Sequence, residues 1–430
     1  MLVLTTLYAP IMKLKPQLLV LVAALPFFAT NAFATNGYFM NAYSVTSQGN
    51  SGTSIANFQD SLTIASNPAG LSWIGQRFDA SATLFMPDRE TDIVGNGAGA
   101  DGHYDGNSRK YFVIPSFGYS QPINDQLTAG IAVYGNGGMD TNYKKNPYAS
   151  FNNTGSAGVS LTQVFISPAI SWKYADNQSI ALAANILYQR FQAKGIGGDV
   201  FGGFSQDKNA MSDRGNDDST GVGARIGWSA KVNDRLTVGA TYASKIHASR
   251  FKKYEGLFAD NGSFDVPENY GVGLNYQLTP TLSVAADYQR INYSDVKSVG
   301  NQLDVAQVMA GNTFGTANGP GFGWKDINVY KISATYQALP KLTLRAGYSY
   351  NDQPVQANQA FLNILAPGVV QQHVSVGATW NIDPKQEVSL AYTRALEKTV
   401  HGSISPAFGG GQANLSMDQD ILGVSYGLKF

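Results

Sequence analysis

Apolar and small or polar residues alternate with a period of two in one stretch of about ten residues after another. In one stretch Leu236, Val238, Ala240 and Tyr242 fall on one side, with Thr237 and Thr241 on the other. The same alternation puts Leu342, Leu344, Ala346 and Tyr348 opposite Arg345, and Val374, Val376, Ala378 and Trp380 opposite Ser375 and Thr379. A strand of this pattern has one apolar and one mixed face, and about ten residues is the length at which a tilted strand crosses the lipid core. Such segments are read at 77–86, 110–120, 126–134, 162–174, 180–191, 222–232, 236–247, 269–278, 282–293, 328–338, 342–350, 373–380, 388–396 and 420–430. They number fourteen, an even count as a closed antiparallel barrel requires.

The connections divide into two classes. Tight reversals occur at Asn124-Asp125, Asp176-Asn177, Asn233-Asp234, Thr279-Pro280, Leu339-Pro340 and Asp383-Pro384, all residues that favour turns. Long polar or glycine-rich stretches alternate with them at 87–109, 135–160, 192–220, 248–268, 294–327, 351–371 and 397–419. A barrel with short turns on one side of a membrane and long loops on the other needs this segregation; a soluble β-sandwich does not. The fold expected is an all-β transmembrane barrel of 14 antiparallel strands.

Composition agrees. There are 46 Gly, 23 Tyr and 22 Phe, only 14% of residues are charged, and mean hydropathy is slightly negative. Alternate residues facing lipid and water give that balance. Trp172, Tyr174, Tyr276, Tyr336 and Trp380 stand beside the short turns, where an interfacial aromatic girdle belongs. Without cysteine there is no disulfide or thiolate metal site, and thirty basic against thirty acidic residues leave no field to draw in nucleic acid. No cofactor or metal is expected. His103, His247 and His401 have no ligand spacing.

At the start, Lys13 and Lys15 precede an apolar run over 18–28 and the small-residue site Ala32-Phe33-Ala34. Residues 1–34 therefore read as a secretory signal, with Met12 the more natural first residue; the run is too short to span a bilayer as a helix. At the other end Leu422, Val424, Tyr426, Leu428 and Phe430 share a face. A strand closing on an aromatic residue resembles the terminal assembly signal of bacterial outer-membrane barrels. It implies a location in the outer membrane of a Gram-negative bacterium, with the barrel assembly machinery, outer-membrane lipid and lipopolysaccharide as partners and a monomer as the working state.

Residues 35–76 lack strand periodicity, are rich in Ser, Thr, Asn, Gln and Gly, and end in Ser66-Asn67-Pro68-Ala69-Gly70. Pro68 fixes a corner there. This segment, the fourteen strands of 77–430, Gly321-Phe322-Gly323-Trp324-Lys325-Asp326 and Tyr348-Ser349-Tyr350-Asn351-Asp352-Gln353-Pro354-Val355 together resemble the FadL family of outer-membrane transporters for long-chain fatty acids and aromatic hydrocarbons. The resemblance implies that 35–76 is a plug, or hatch, in the lumen, with Asn67, Pro68 and Ala69 as its motif. It implies an apolar binding site inside the barrel. It also implies a kinked third strand that opens a side window, for which Gly135, Gly137 and Gly138 are the glycines in place, Gly138 matching best. Glycines within a sheet mark bulges or interrupted pairing in any case.

Candidate substrate-binding residues are Phe201, Phe204, Leu257 and Phe258 in the loops for an apolar tail, with Arg190 and Lys325 as cations for a carboxylate. Each of the two has a second reading, in which it snorkels to lipid headgroups. The expected function is passive uptake of hydrophobic molecules, first long-chain fatty acids and alternatively neutral hydrocarbons, with a general diffusion porin as a more distant reading. His373 and Ser375 lie two apart, as in a lipid hydrolase, but face the lumen rather than lipid, so no enzyme is expected.

Overall fold

The structure, a computed structural model, describes residues 36–199 and 201–430; the expected signal sequence and its processing site lie outside them. The strands, in chain order, are β1 (Arg77–Val94), β2 (Gly102–Asp105), β3 (Phe112–Pro122), β4 (Leu127–Asp140), β5 (Gly158–Ala175), β6 (Gln178–Lys194), β7 (Asp217–Lys231) and β8 (Leu236–Ala243). They continue with β9 (Asn269–Thr279), β10 (Leu282–Ile291), β11 (Ile327–Leu339), β12 (Leu342–Asn351), β13 (Gln372–Asn381), β14 (Gln386–Ser403) and β15 (Gln412–Lys429). All except β2 form one antiparallel meander of fourteen strands, each beside its neighbour in sequence. β15 closes it against β1 from Arg77 opposite Lys429 to Val94 opposite Gln412 without a register shift. Closure leaves no edge at this seam for lipid to meet.

The alternation read from the sequence is the alternation of the wall. Val374, Val376 and Trp380 are exposed on the lipid face of β13, while His373, Ser375 and Thr379 are buried towards the lumen. Trp172, Tyr174, Tyr336 and Trp380 are exposed beside the short turns, as a girdle requires.

Several strands run past the lipid. β1, expected to stop at residue 86, continues to Val94, and β15 starts at Gln412 rather than 420. In these extensions Asp88, Glu90 and Asp92 hold the outward positions, so pairing continues beyond the hydrocarbon where water meets the outward face. Two expected strands end early: β8 stops at Ala243 rather than 247, and β10 at Ile291 rather than 293. Tyr293 turns inward instead, to bond the hatch.

The hatch fills the lumen with short elements: α1 (Val45–Gly49), 3-10 turns at Ser61–Ala65 and Pro68–Gly70, and α2 (Leu71–Ile74). Pro68 sits in the first helical position, where its missing N–H costs nothing. The corner expected at Asn67-Pro68 is therefore the capped start of a helical turn.

The wall is shaped to receive this backbone. A Cβ on Gly227 of β7 would strike Asn67 and Pro68, and one on Gly377 of β13 would press on Gly49. Glycines on β3, β4, β8, β9, β12 and β15 (Gly118, Gly130, Gly239, Gly273, Gly347 and Gly423) meet hatch atoms in the same way.

Candidate functional site

Polar groups tie the body of the hatch to the wall at many places, among them Gln48 to Ile421 O, Thr53 to Ser333 and Trp73 to Ser229; three more involve the expected motif or charged side chains. At the first, Asn67 Nδ2 donates to Ile55 O (2.7 Å) and Trp228 O (3.0 Å), while Asn67 Oδ1 accepts from Ala69 N (3.1 Å). Ser171 and Ser179 hydroxyls donate to Ala69 O (3.3 and 3.0 Å). At the second, Asp287 Oδ2 on β10 accepts from Ser54 N (2.7 Å) and Ile55 N (3.0 Å), and Lys331 Nζ on β11 donates to Asn41 O (2.8 Å). At the third, Arg77 Nη1 donates to Gln59 O (2.8 Å) and Arg345 Nε to Gln59 Oε1 (2.6 Å), while Asp79 accepts from Ser61 N (2.8 Å). Asp60 caps the turn at Ser61, accepting from Leu62 N (3.0 Å) and the Thr46 hydroxyl. Burial, reinforced by the neighbouring charge of Asp79, pushes the Asp60 carboxyl above its ordinary pKa, against the opposing pull of Arg77.

The first residues of the hatch form a separate finger. Tyr293 Oη donates to Asn36 O and accepts from Tyr38 N (3.2 Å) and Phe39 N (3.3 Å). Burial holds the Tyr293 hydroxyl protonated, its pKa well above the ordinary tyrosine value. The finger also pairs with β4: Met40 N donates to Asn136 O (3.0 Å) and Gly138 N to Tyr38 O (2.9 Å). Gly137 lies opposite Phe39, and a Cβ there would collide with the Tyr38 carbonyl.

That pairing is possible because β4 leaves the wall. β3 and β4 are paired only from Phe117 opposite Val133 to Pro122 opposite Thr128. Beyond this, every residue of β4 from Tyr134 to Asp140 is buried, so both faces have turned inward. The register against β5 shifts between Gly135 and Gly137, a bulge at Asn136. The irregularity is centred at Asn136, between Gly135 and Gly137, and not at Gly138, whose N–H is engaged by the finger.

Pro115 sits in the part of β3 that lacks a β4 partner. A proline cannot donate to a ladder and belongs at a sheet edge, so this residue was a readable sign of interrupted pairing.

Behind the gap two clusters meet. Phe85, Phe112, Ile114, Ile421 and Met40 pack together on the wall side. The larger cluster runs from Tyr38 and Phe39 past Tyr293 and Trp324 to the loop residues Phe361, Phe201 and Phe408. A small space of about 20 Å³ lies at the gap, lined by Met40, Tyr43, Ile114, Gly135 and Ile421 together with polar groups of Asn41, Ser44 and Gln48. A second of similar size lies nearer the outer rim against Phe85, Met139 and Trp324.

The expected binding residues fall into three groups. Phe201 is buried against Tyr148 (ring centroids 5.1 Å), Phe314 (5.8 Å) and Phe361 (5.9 Å), and Phe204 packs on Phe408 (6.2 Å). Leu257 is buried, and Phe258 packs at a tilt against Phe191 (4.6 Å) and Phe264 (5.0 Å). These rings cover the barrel mouth by packing on one another. Arg190 faces outward on β6, its Nε 2.7 Å from Asp218 Oδ1, in the position of the snorkelling reading. Lys325 is exposed, while Trp324 beside it points inward. Neither cation lines the apolar interior.

His373 Nδ1 lies 3.3 Å from Ser349 Oγ, and Ser375 Oγ lies 2.8 Å from Thr393 Oγ1. The two share the lumen face but not a hydrogen bond. Sequence reasoning missed Asp287, Lys331, Tyr293 and Arg89, which sit in strands or turns with no motif around them.

Residues 26–430 match the model of outer membrane protein transport proteins (OMPP1/FadL/TodX). The chain belongs to this family. It is an outer-membrane β-barrel of a Gram-negative bacterium, and the family it belongs to transports hydrophobic compounds. A putative outer membrane protein of Neisseria meningitidis serogroup B is 25% identical over 90% of this chain and 93% of its own. The long-chain fatty acid transport protein of Escherichia coli K12 is 23% identical over 77% and 82%. Among solved structures, a Pseudomonas aeruginosa FadL homologue superposes with a TM-score of 0.69 at 16% identity, covering 92% of this chain and all of its own. The Pseudomonas putida toluene transporter TodX superposes with a TM-score of 0.66 at 18% identity and the same coverage. At these identities the likeness establishes the shared fold: a hatch within fourteen strands.

Proposed function

We propose that this family member takes up hydrophobic molecules without energy input. They enter between the outer loops, bind in the apolar interior, and leave sideways between β3 and β4 when the finger over 36–40 withdraws. The unpaired stretch of β3 beside the inward-turned end of β4 carries this reading. An unpaired ladder facing hydrocarbon costs several kcal/mol per orphaned group, so it is tolerated only where something backs it, and here the finger does. The many ties of the hatch body favour local movement of the finger over expulsion of the whole hatch.

Long-chain fatty acids are the expected cargo, and the relatives named for that activity support them. The outward Arg190 and exposed Lys325 favour the alternative, neutral hydrocarbons, because a buried carboxylate needs a partner.

Uptake of oleate and of toluene by a deletion strain complemented with this chain tests both readings. Uptake of neither overturns the proposal. A large, steady ion current through the protein in planar bilayers would instead favour the diffusion porin, whose lumen must be open.

A further inference from the structure

β8 stops at Ala243, but the chain beyond it stays against the wall. It runs on beside the outer end of β7: Ser244 N donates to Ala224 O (2.9 Å) and Ser249 N to Thr220 O (2.8 Å), while Ser249 Oγ accepts from Thr220 N (2.9 Å). Lys253 N then donates to Asp217 Oδ2 (2.8 Å). Ser249-Arg250-Phe251-Lys252-Lys253 is therefore fixed across the end of this strand.

Burial sorts the side chains of that segment. Phe251 and Tyr254 are fully buried, the Phe251 ring 5.7 Å from that of Phe191, whereas Arg250, Lys252 and Lys253 are exposed. Lys253 Nζ donates to Asn216 O (2.6 Å). Among the described residues no side-chain hydrogen bond or ion pair engages Arg250 or Lys252. With the outward Arg190 they make four cations against two carboxylates, Asp217 and Asp218. The nearby Lys194 and Arg214 are balanced by Asp213 and Glu255.

Just below these charges the outward face becomes apolar. Val222 follows Thr220 on β7 and is 66% exposed, and Ile186 is its exposed neighbour on β6. Tyr188, directly opposite Thr220, donates from Oη to Asp218 Oδ1 (2.8 Å), as an aromatic at the membrane interface would. The cations thus stand at the level of the outer-leaflet headgroups. Elsewhere the rim has no such excess. Arg290 is paired with Asp326, and β1 and β15 turn Asp88, Glu90, Asp92, Asp418 and Asp420 outward against Lys110 and Arg394.

We propose that this patch on the outer end of β7 binds the phosphates of a phosphorylated glycolipid of the outer leaflet, whose acyl chains lie along Val222 and Ile186. Phosphate oxygens take strong, charge-assisted bonds from Arg and Lys. Arg250 and Lys252 can give them without first breaking an ion pair, and the pinned backbone has already ordered the segment. A soluble anion has no chains for the apolar strip to hold, and the acidic face of β1 and β15 repels the same phosphates. The inference gives the expected lipopolysaccharide partner a place on the wall and is independent of the cargo and of its exit.

Native mass spectrometry of the purified full chain in detergent tests it, with lipid A carrying both phosphates and lipid A stripped of them as probes. The phosphorylated form is expected to bind at least about tenfold tighter, and Arg250→Ser with Lys252→Ser to weaken it about tenfold or more, as two charges near an anionic headgroup should. Glu90→Gln with Asp92→Asn, on the acidic side, should not weaken it. Should the basic double variant fail to fold, Lys252→Gln alone should weaken binding about threefold to fivefold. Equal binding of the two lipids, undiminished binding by the basic variants, or an equal loss in the acidic-side variant overturns the site. Displacement of lipid A by millimolar inorganic phosphate overturns the lipid assignment in favour of a free anion.

Discussion

Asp287 and Lys331 lie directly opposite each other on β10 and β11, yet no ion pair within 4 Å joins them. Each binds hatch backbone of the complementary polarity: Asp287 takes the N–H groups of Ser54 and Ile55, and Lys331 the carbonyl of Asn41. A cross-strand pair that ordinarily would close on itself is held open by the plug between its members.

Breaking one side of this arrangement should loosen the hatch without unfolding the barrel. Asp287→Ala removes two charge-assisted bonds of about 1.5–3 kcal/mol each. Faster amide exchange is expected at residues 52–55, with more frequent open-channel events in planar bilayers. Unchanged exchange at those amides would show that the carboxylate does not hold them.

The Asn67 tie makes a local and a steric prediction. Asn67→Ala loses three hydrogen bonds, about 1 kcal/mol each, and should speed exchange over 66–71. Gly227→Val puts a side chain where Asn67 and Pro68 sit, so it should displace this corner of the hatch while β7, whose glycine face points inward, still forms. Barrel formation is read by resistance to unfolding in cold detergent on a gel.

At the finger, Gly137→Ala drives a methyl group into the Tyr38 carbonyl. It should release the pairing of residues 38–40 with β4 and change the fluorescence of Trp324, which lies 6.0 Å from the Tyr38 ring between centroids. An unaltered emission spectrum would argue that the finger stays seated.

Acid should tighten the hatch near Ser61. Asp60 has a folded-state pKa raised by burial, so the folded hatch binds a proton more strongly than the unfolded segment does. Its contribution to stability is full below the ordinary carboxylate pKa and is lost as pH rises through the raised value. Exchange over 61–65 is therefore expected to slow as pH falls from neutral towards the ordinary carboxylate range, after correction for intrinsic rates. Asp60→Asn should abolish the dependence; a hatch that loosens on acidification would contradict it.

Lys325→Ala and Arg190→Ala should leave uptake of both oleate and toluene within about twofold of wild type, since exposed charges of this kind contribute about 0–1 kcal/mol. A selective loss of oleate uptake would restore the carboxylate role to whichever residue caused it.

All fourteen strands were legible because lipid on one side and a filled lumen on the other impose the period of two. Their ends were not, since a window of lipid-crossing length stops at residue 86 while β1 goes on pairing to Val94 in water. Pro115 and the isolated strand glycines carried readable information about the gap and the hatch seat, but each is a single residue with several ordinary uses. The packing of the loops was not legible for a physical reason: apolar residues such as Phe201 and Phe258 contact one another across loops distant in sequence, which no local pattern records. Asp287 and Lys331 appear in the sequence only as charges on lumen-facing positions, and their partners are backbone atoms.

The side-chain-free positions on eight strands have a consequence for exchange between proteins. Together they form a mould of one hatch backbone, cast in the barrel wall. A chimera that kept this barrel but carried a differently folded hatch would find hollows where its own backbone does not run and walls where it does. Hatch and barrel can therefore be transplanted between relatives only as a matched set.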